Sequence, residues 1–211
     1  MLAALYVRVP LKKYEAMEDI KVISSNYVQG SYQLLPMCYD RVRASIYFSN
    51  KLSESAGSDI NLSKWYYRAA LSEFKSIFDL LPADLKNKGL SKIWNKSETK
   101  ESIEKNPLIK ILKKTRDLAL HSGNLPGAHK EVQVTFIDES GDHEKSVHGL
   151  YFDKINRSMH EDMKHFKIED IEWFNKQALQ WPADLLLREG TYQMSIELSC
   201  FLAKYRKHIT S

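Results

Sequence analysis

The sequence predicts a mainly α-helical fold, a four-helix bundle with an inserted β-hairpin at about 131–152. Apolar side chains recur at helical spacing in four long segments. Between the third and the fourth segment, the spacing changes to the alternation that is typical of strands. Glycine, proline and capping residues stand at the segment ends. These three observations favour a helical bundle that is interrupted once by a hairpin.

The first helix is predicted over 34–55, and the polar segment 53–59 ends it. Its apolar positions are Leu34, Leu35, Met37, Cys38, Val42, Ile46 and Tyr47. Ser63 is the predicted N-cap of a second helix over 64–81. That helix is predicted to end before Pro82, because proline disfavours helical geometry in the residue that precedes it. A polar connector around 87–89 follows.

The third helix, predicted over 107–122, has the best-marked ends. Asn106 is suited to cap the first amides, and Pro107 fits the first helical position. Gly123 and Pro126 follow the last periodic residues, so the helix is predicted to stop there.

The segment after the third helix has the pattern of a hairpin. Val132, Val134 and Phe136 alternate with polar residues, which predicts a strand. A turn over 140–142 leads to a second predicted strand over 147–152.

The fourth helical segment runs over 168–207, and Pro182 and Gly190 are predicted to split or bend it. The first thirty residues, 1–30, are predicted to be irregular or partly helical. A length of 211 residues is within the range that one core can serve. We therefore expect one domain over 1–211, with its core at about 34–207.

The composition excludes several classes of protein. The only two cysteines, Cys38 and Cys200, form neither a disulfide framework nor a metal-ligand cluster, which favours a reducing compartment. No run of about 18 apolar residues is present, so no membrane span is expected and the predicted location is cytoplasmic. A net charge of +4 is compatible with nucleic-acid contact without requiring it.

Neither a metal nor a cofactor is expected. His160 and His165 are five residues apart, whereas metalloprotease helices bind zinc through two histidines about four apart around a glutamate. The sequence also has no phosphate-binding glycine loop, CxxC pair or nucleophile elbow.

The third helix carries two apolar strips. The predicted core stripe consists of Leu108, Ile111, Leu112, Thr115, Leu118 and Ala119. Ile109 and Leu120 form a second strip beside Arg116. Arg116 and His121 are about 140° apart around the axis, so a single straight helix does not direct them at one ligand atom. They could converge if the helix end is distorted, or if the second strip pairs with a second copy of the chain.

His121 is expected to have a raised pKa. Asp117 lies four residues before it, within contact reach, and the last turn of a helix favours a cation. A protonated fraction near neutral pH suits a proton donor or a phosphate contact. The alternative interpretation is a helix end that basic residues and an Asp–His pair stabilise, without further function.

The stretch Arg116-Asp117-Leu118-Ala119-Leu120-His121 resembles the R-x4-6-H motif, with a polar residue after the arginine, of the HEPN superfamily. The segments 66–81 and 173–198 are also similar to a bacterial branch of these proteins, so the resemblance covers roughly 35–200. It implies a small helical bundle that dimerises. In many members, such a bundle is a metal-independent ribonuclease of toxin, anti-phage or RNA-processing systems.

The resemblance also implies roles for the motif residues. The RNA 2′-hydroxyl would attack the adjacent phosphate and leave a cyclic phosphate. His121 would handle the proton, Arg116 would stabilise the charge that develops on phosphorus, and Asp117 would orient one of them. Branches that pair with a nucleotidyltransferase antitoxin have a tyrosine two residues after the histidine, where this chain has Gly123. That pairing is not expected, but another antitoxin or a defence-system protein could be a partner.

Four further residues are candidates for supporting roles. Glu73 lies on the apolar arc of the second helix, where a carboxylate needs a partner. It could orient the arginine or the histidine of the motif, or it could pair with a basic residue at the core boundary. Lys110, Lys113 and Lys114 could guide RNA phosphates, or they could form a solvated helix face.

Three functional hypotheses follow from the sequence. The first is an endoribonuclease that acts on RNA as a HEPN-type homodimer, and the second is a non-catalytic HEPN-like module that binds RNA or a partner protein. The third is a small-ligand or nucleotide binder that uses the same groove. Trp65, Tyr66 and Tyr67 could stack on bases, although packing into the core is the simpler interpretation.

Overall fold

The computed structural model describes the backbone of residues 5–10, 34–121, 128–138, 141–158, 164 and 166–209. Side chains are described for the same residues other than 5–10, 118–121 and 132–147.

This part of the chain is mainly helical, as the sequence predicts. The α-helices are α1 (Pro36–Ser55), α2 (Ile60–Asn87), α3 (Ser91–Trp94), α4 (Glu98–Lys105), α5 (Pro107–His121), α6 (Ile168–Gln180) and α7 (Ala183–Lys204). The strands are β1 (Leu5–Pro10), β2 (Ala128–Asp138) and β3 (Gly141–Tyr151). Among the described helices, none has both the length and the apolar character that a bilayer span requires.

Helix α2 begins earlier and ends later than the sequence predicts. The Asp59 side chain, rather than that of Ser63, accepts hydrogen bonds from the amides of Asn61 and Leu62, both at 2.9 Å. The helix also continues through Pro82, which removes one backbone donor at a typical cost of about 3 kcal/mol. Asp84 and Leu85, two and three residues beyond the proline, are both 1% exposed, and their packing offsets that cost.

Two helices that the sequence analysis does not predict lie between the polar connector and the helix that begins at Pro107. Gly89 has φ 69°, a left-handed conformation that ends α2 without a Cβ clash. The short helices α3 and α4 follow, and they bury Trp94 and Ile103 against the core. Because α3 has only four residues, helical periodicity does not reveal it.

The last helical segment is divided once. Trp181 and Pro182 separate α6 from α7, as predicted. Gly190 lies inside α7 and does not split it, which corrects the second predicted break. A Cβ atom at position 190 would lie 2.5 Å from Leu112 Cδ1, so the glycine allows α7 to approach α5 closely.

The predicted hairpin is present, and its strands are longer than expected. β2 and β3 are antiparallel, with Val132 opposite Val147 and Asp138 opposite Gly141, and the predicted turn residue Ser140 lies outside the described residues. β1 pairs in parallel with β2, so residues 5–10 form a strand within the segment that was predicted to be irregular or partly helical.

Helices α1, α2, α5 and α7 pack around a common apolar core. Helix α5 contacts α2, α6 and α7, and its buried side chains meet those of α2 and α7. Phe152, just after β3, packs edge-on against Tyr67 and Phe174 with ring centroids 5.3 and 5.2 Å apart. This aromatic cluster joins the end of the hairpin to the helical core.

Candidate functional site

Helix α5 is anchored at its N-terminus by Asn106. The Asn106 side-chain oxygen accepts hydrogen bonds from the amides of Leu108 and Ile109 at 3.0 and 3.2 Å, which confirms the predicted cap. Its side-chain nitrogen donates to Gln193 Oε1 of α7 at 2.7 Å. The start of the helix that bears the motif is therefore held against α7.

The core stripe of α5 is confirmed where its side chains are described. Leu108, Ile111, Leu112 and Thr115 are all at most 2% exposed. Ile109 is 1% exposed, so this chain's own helices cover it. The second apolar strip is therefore not left free at this position for a second copy of the chain, which corrects part of the argument for dimer contact. The other member of that strip, Leu120, has its side chain outside the described part.

Arg116 and Asp117 form a contact within the motif. Arg116 Nη1 donates to Asp117 Oδ1 at 3.3 Å, and the two side chains are 29% and 23% exposed. Arg116 Nε is buried and has no hydrogen-bond partner among the described residues. Asp117 also lies 3.7 Å from the ammonium groups of Lys75 and Lys114. The Asp117 carboxylate therefore lies within 4 Å of three cationic groups, those of Lys75, Lys114 and Arg116.

His121 is the last residue of α5, and its side chain lies outside the described part. Its contact with Asp117 and its raised pKa stay predictions. The predicted end signals Gly123 and Pro126 also lie outside the described residues.

Glu73 has a basic partner on α1. Arg41 Nη1 donates to Glu73 Oε2 at 2.8 Å, and the Glu73 side chain is 21% exposed. This ion pair at the core boundary is the alternative that the sequence left open. A role for Glu73 in orienting the motif residues stays a prediction.

A cleft of about 530 Å³ lies beside Asp117, between α2, α4 and α5. Its apolar lining includes Phe78, Leu81, Pro82, Leu85, Trp94, Ile103, Ile109 and Phe166. Its charged lining consists of Lys75, Lys100, Lys110, Lys113, Lys114, Glu104 and Asp117. We call this feature the lysine cleft. The three lysines that were predicted to guide RNA all line it.

Aromatic rings hold two of these lysines in place. Lys113 Nζ lies 4.3 Å from the centroid of Phe78, and Lys110 Nζ lies 5.3 Å from that of Phe166. Burial lowers the pKa of Lys113, although the carboxylates of Asp79 and Glu104 act against this shift. Lys110 is in addition paired with Asp170 at 2.6 Å. These side chains are therefore partly buried and contact aromatic rings, which differs from a fully solvated helix face.

Lys75 and Lys100 are members of the cleft that the sequence analysis missed. Lys75 lies 3.5 Å from Asp79, and Lys100 lies 3.8 Å from Glu104. They come from α2 and α4, and only the packing of these helices against α5 brings them to the same opening. The one local signal is that Lys75 stands three residues before Phe78, on the same side of α2.

The aromatic residues near the start of α2 do not line this cleft. Tyr67 is fully buried, which confirms the core interpretation for that residue, whereas Trp65 is 60% exposed. Along α2, Trp65 is ten residues from Lys75, or about 15 Å.

Comparison of this chain with family models, curated proteins and solved structures finds no match. The resemblance to the HEPN superfamily stays a prediction from the motif and the segments quoted above.

The described side chains suit an anion better than a metal ion. In the described part of the chain, no three histidine, cysteine, aspartate or glutamate side chains cluster as metal ligands. The His160–His165 segment lies outside the described residues apart from Lys164. Five ammonium groups around one cleft, with a guanidinium beside it, can bind a phosphorylated ligand and stabilise negative charge.

Proposed function

We propose that this chain is a metal-independent endoribonuclease of the HEPN type, which acts as a homodimer in a toxin, anti-phage or stress-response setting. One observation supports this proposal most directly. Asp117 binds the Arg116 guanidinium and also lines the lysine cleft. The arginine of the motif thus stands beside a surface that can attract RNA phosphates.

The proposed reaction is a transesterification within the RNA chain. The 2′-oxygen forms a bond to the adjacent phosphorus, and the bond from phosphorus to the 5′-oxygen of the next nucleotide breaks. The products are a 2′,3′-cyclic phosphate and a free 5′-hydroxyl. His121 moves the proton between the attacking and the leaving oxygen, and Arg116 stabilises the additional negative charge on the phosphoryl oxygens.

A second candidate function is a non-catalytic module that binds RNA, an antitoxin or a defence-system protein. The contacts of Asp117 favour this alternative, because its carboxylate already lies near three cations in the absence of a substrate. Such an ion network can serve binding or stability without any chemistry.

The first prediction tests the catalytic role of the motif. We expect the purified chain to cleave RNA in the presence of EDTA. The substitutions Arg116→Ala and His121→Ala should each reduce the initial cleavage rate by about 100-fold or more, because charge stabilisation or proton transfer is lost. A 2′,3′-cyclic phosphate should appear at the new 3′ end, which mass spectrometry of the fragments detects.

Arg43→Ala is the matched control, since Arg43 is an exposed arginine on α1 that lies over the Tyr39 ring at 5.6 Å. Circular dichroism should show that all variants are folded. If several single-stranded and structured RNAs survive high concentrations of folded wild-type protein, the catalytic proposal is wrong and the binding alternative is favoured.

A further inference from the structure

The lysine cleft has two kinds of surface, and each suits a different part of a nucleotide. Its lining combines ammonium groups, which suit phosphates, with apolar side chains that include Leu81, Leu85, Trp94 and Phe166. An RNA duplex presents mainly phosphates and sugars to a protein and keeps its bases stacked inside. An unpaired base, in contrast, can leave the stack and bury its ring against apolar and aromatic side chains.

The ammonium groups of the cleft contact carboxylates or aromatic rings, but for several of them these contacts are weak enough that a phosphate could replace them. The ion pairs of Lys75 with Asp79 and of Lys100 with Glu104 span 3.5 and 3.8 Å, longer than a charge-assisted hydrogen bond. Lys113 lies over Phe78, and among the described residues it forms no ion pair. Its lowered pKa shows that burial is not fully offset by nearby carboxylates. A bound phosphate would supply the missing counter-charge.

The size of the cleft points to a single nucleotide as the occupant. Its volume of about 530 Å³ lies within the range of about 300–1,000 Å³ that is usual for sites that enclose a small molecule. A duplex is too wide to enter such a space and could touch only its opening.

We propose that the lysine cleft receives one unpaired nucleotide of single-stranded RNA, with its base against the apolar side chains of the lining and the flanking phosphates on Lys75, Lys100 and Lys113. The inference rests on the proposed RNA-directed function and adds to it the form of the RNA. Because Asp117 lines the cleft and also binds Arg116, a nucleotide held there lies next to the motif. Cleavage would then be restricted to loops and single strands.

The test measures binding separately from cleavage. The protein is the full chain with Arg116→Ala and His121→Ala, so that the RNA stays intact. Fluorescence anisotropy measures its affinity for a labelled RNA of about twelve mixed-sequence nucleotides, and for the same RNA annealed to its complement. We expect at least tenfold tighter binding of the single strand, because only the single strand can place a base in the cleft.

Substitutions separate the two surfaces of the cleft. In this background, Lys75→Gln and Lys113→Gln should each weaken single-strand binding and lower the slope of log affinity against log salt by about 0.7. Phe166→Ala should weaken binding about tenfold and leave the salt slope unchanged, because it removes apolar contact without removing charge. Lys64→Gln, an exposed lysine on α2 about 16 Å from Lys75 along the helix, is the matched control and should change neither quantity.

The outcomes distinguish this inference from the catalytic proposal. Equal affinity for the single strand and the duplex, or unchanged binding in both lysine variants, would overturn the base-binding cleft even if the wild-type chain cleaves RNA. A single-strand preference that the cleft variants abolish would support it even if no RNA is ever cleaved. Lys75 and Phe166 are both partly exposed, so their replacement should leave the fold intact, which thermal melting checks.

Discussion

The two cysteines have opposite surroundings, although the sequence gives both a helical context. Cys38 is fully buried, and its Sγ donates to the Ile77 carbonyl at 3.5 Å. Burial raises the pKa of the Cys38 thiol, and the nearby Asp84 carboxylate raises it further. Cys200 is exposed. Since the thiolate is the reactive form, only Cys200 should react readily in the native protein.

Titration with an aromatic disulfide reagent at neutral pH should therefore modify one thiol per native chain, and the second only after unfolding in urea. Cys200→Ser should abolish the native reaction, whereas Cys38→Ser should leave its stoichiometry unchanged. Rapid modification of both thiols in the folded chain would contradict the buried position of Cys38.

Asp84 performs a capping role at long range. Helix α1 has no side-chain cap of its own at Leu35, and the backbone amide of Cys38 donates to Asp84 Oδ2 at 2.9 Å instead. Asp84 is 1% exposed, so its loss leaves a buried amide without an acceptor. We expect Asp84→Ala to lower the free energy of unfolding by about 1–3 kcal/mol, measured by urea denaturation.

Asp79→Ala is the control for this prediction, because Asp79 is an exposed aspartate on the same helix. Its pair with Lys75 spans 3.5 Å at the surface, and its loss should cost less than about 1 kcal/mol. A similar cost for both variants would show that Asp84 has no special role at the start of α1.

At the scale of elements, the crossing of α5 and α7 depends on Gly190. Replacing a glycine by alanine within an exposed helix normally stabilises it by about 1 kcal/mol. Here the added Cβ would meet Leu112 Cδ1 at 2.5 Å in a fully buried environment. We expect Gly190→Ala to lower the free energy of unfolding by about 1–3 kcal/mol, because the overlap forces side chains out of their preferred positions.

A second substitution tests the cause. Leu112→Ala makes room at the contact, so adding Gly190→Ala to it should cost less than adding Gly190→Ala to the wild type. A double-mutant cycle from urea denaturation measures this coupling. Additive effects would mean that the two helices do not meet at this pair.

The elements that the sequence predicts well are those whose signals are local. Helix α5 begins where Asn106 and Pro107 indicate, because the cap and the first-turn proline act within a few residues. The passage of α2 through Pro82 depends on burial of Asp84 and Leu85, which is a tertiary effect. The strand β1 has the alternating apolar residues Leu5, Val7 and Val9, but its partner β2 lies more than a hundred residues later. The alternation in a six-residue segment does not indicate which distant strand it pairs with.

At the scale of the whole molecule, the same limit applies to the candidate site. The sequence places Arg116, Asp117 and His121 on one helix, and it identifies the lysines of that helix as basic neighbours. It cannot indicate that Lys75 and Lys100, from two other helices, share one cleft with them. That arrangement depends on the packing of α2 and α4 against α5. Likewise, the burial of Ile109 results from tertiary contacts and removes an apolar surface that helical periodicity alone leaves open.

The proposed homodimer leads to the last prediction. On a straight helix, Arg116 and His121 are about 140° apart, and the proposed homodimer would bring together two such sets from two chains that face each other. Light scattering coupled to size-exclusion chromatography should give a mass twice that of the 24.5 kDa chain. If only the dimer has a complete site, as the proposal requires, the cleavage rate per chain should fall when the protein is diluted to concentrations at which light scattering shows monomer.

Mixed dimers test whether the two chains share a site. Wild-type protein is unfolded in urea together with an excess of the His121→Ala variant, and both are refolded together, so that most wild-type chains acquire an inactive partner. Cleavage per wild-type chain should then fall well below that of wild-type protein refolded alone. Refolding with an excess of the Arg43→Ala variant serves as the control and should not lower cleavage per wild-type chain. A monomeric mass at every concentration, or full activity in the mixed dimers, would mean that each chain acts by itself and that the proposed facing arrangement is wrong.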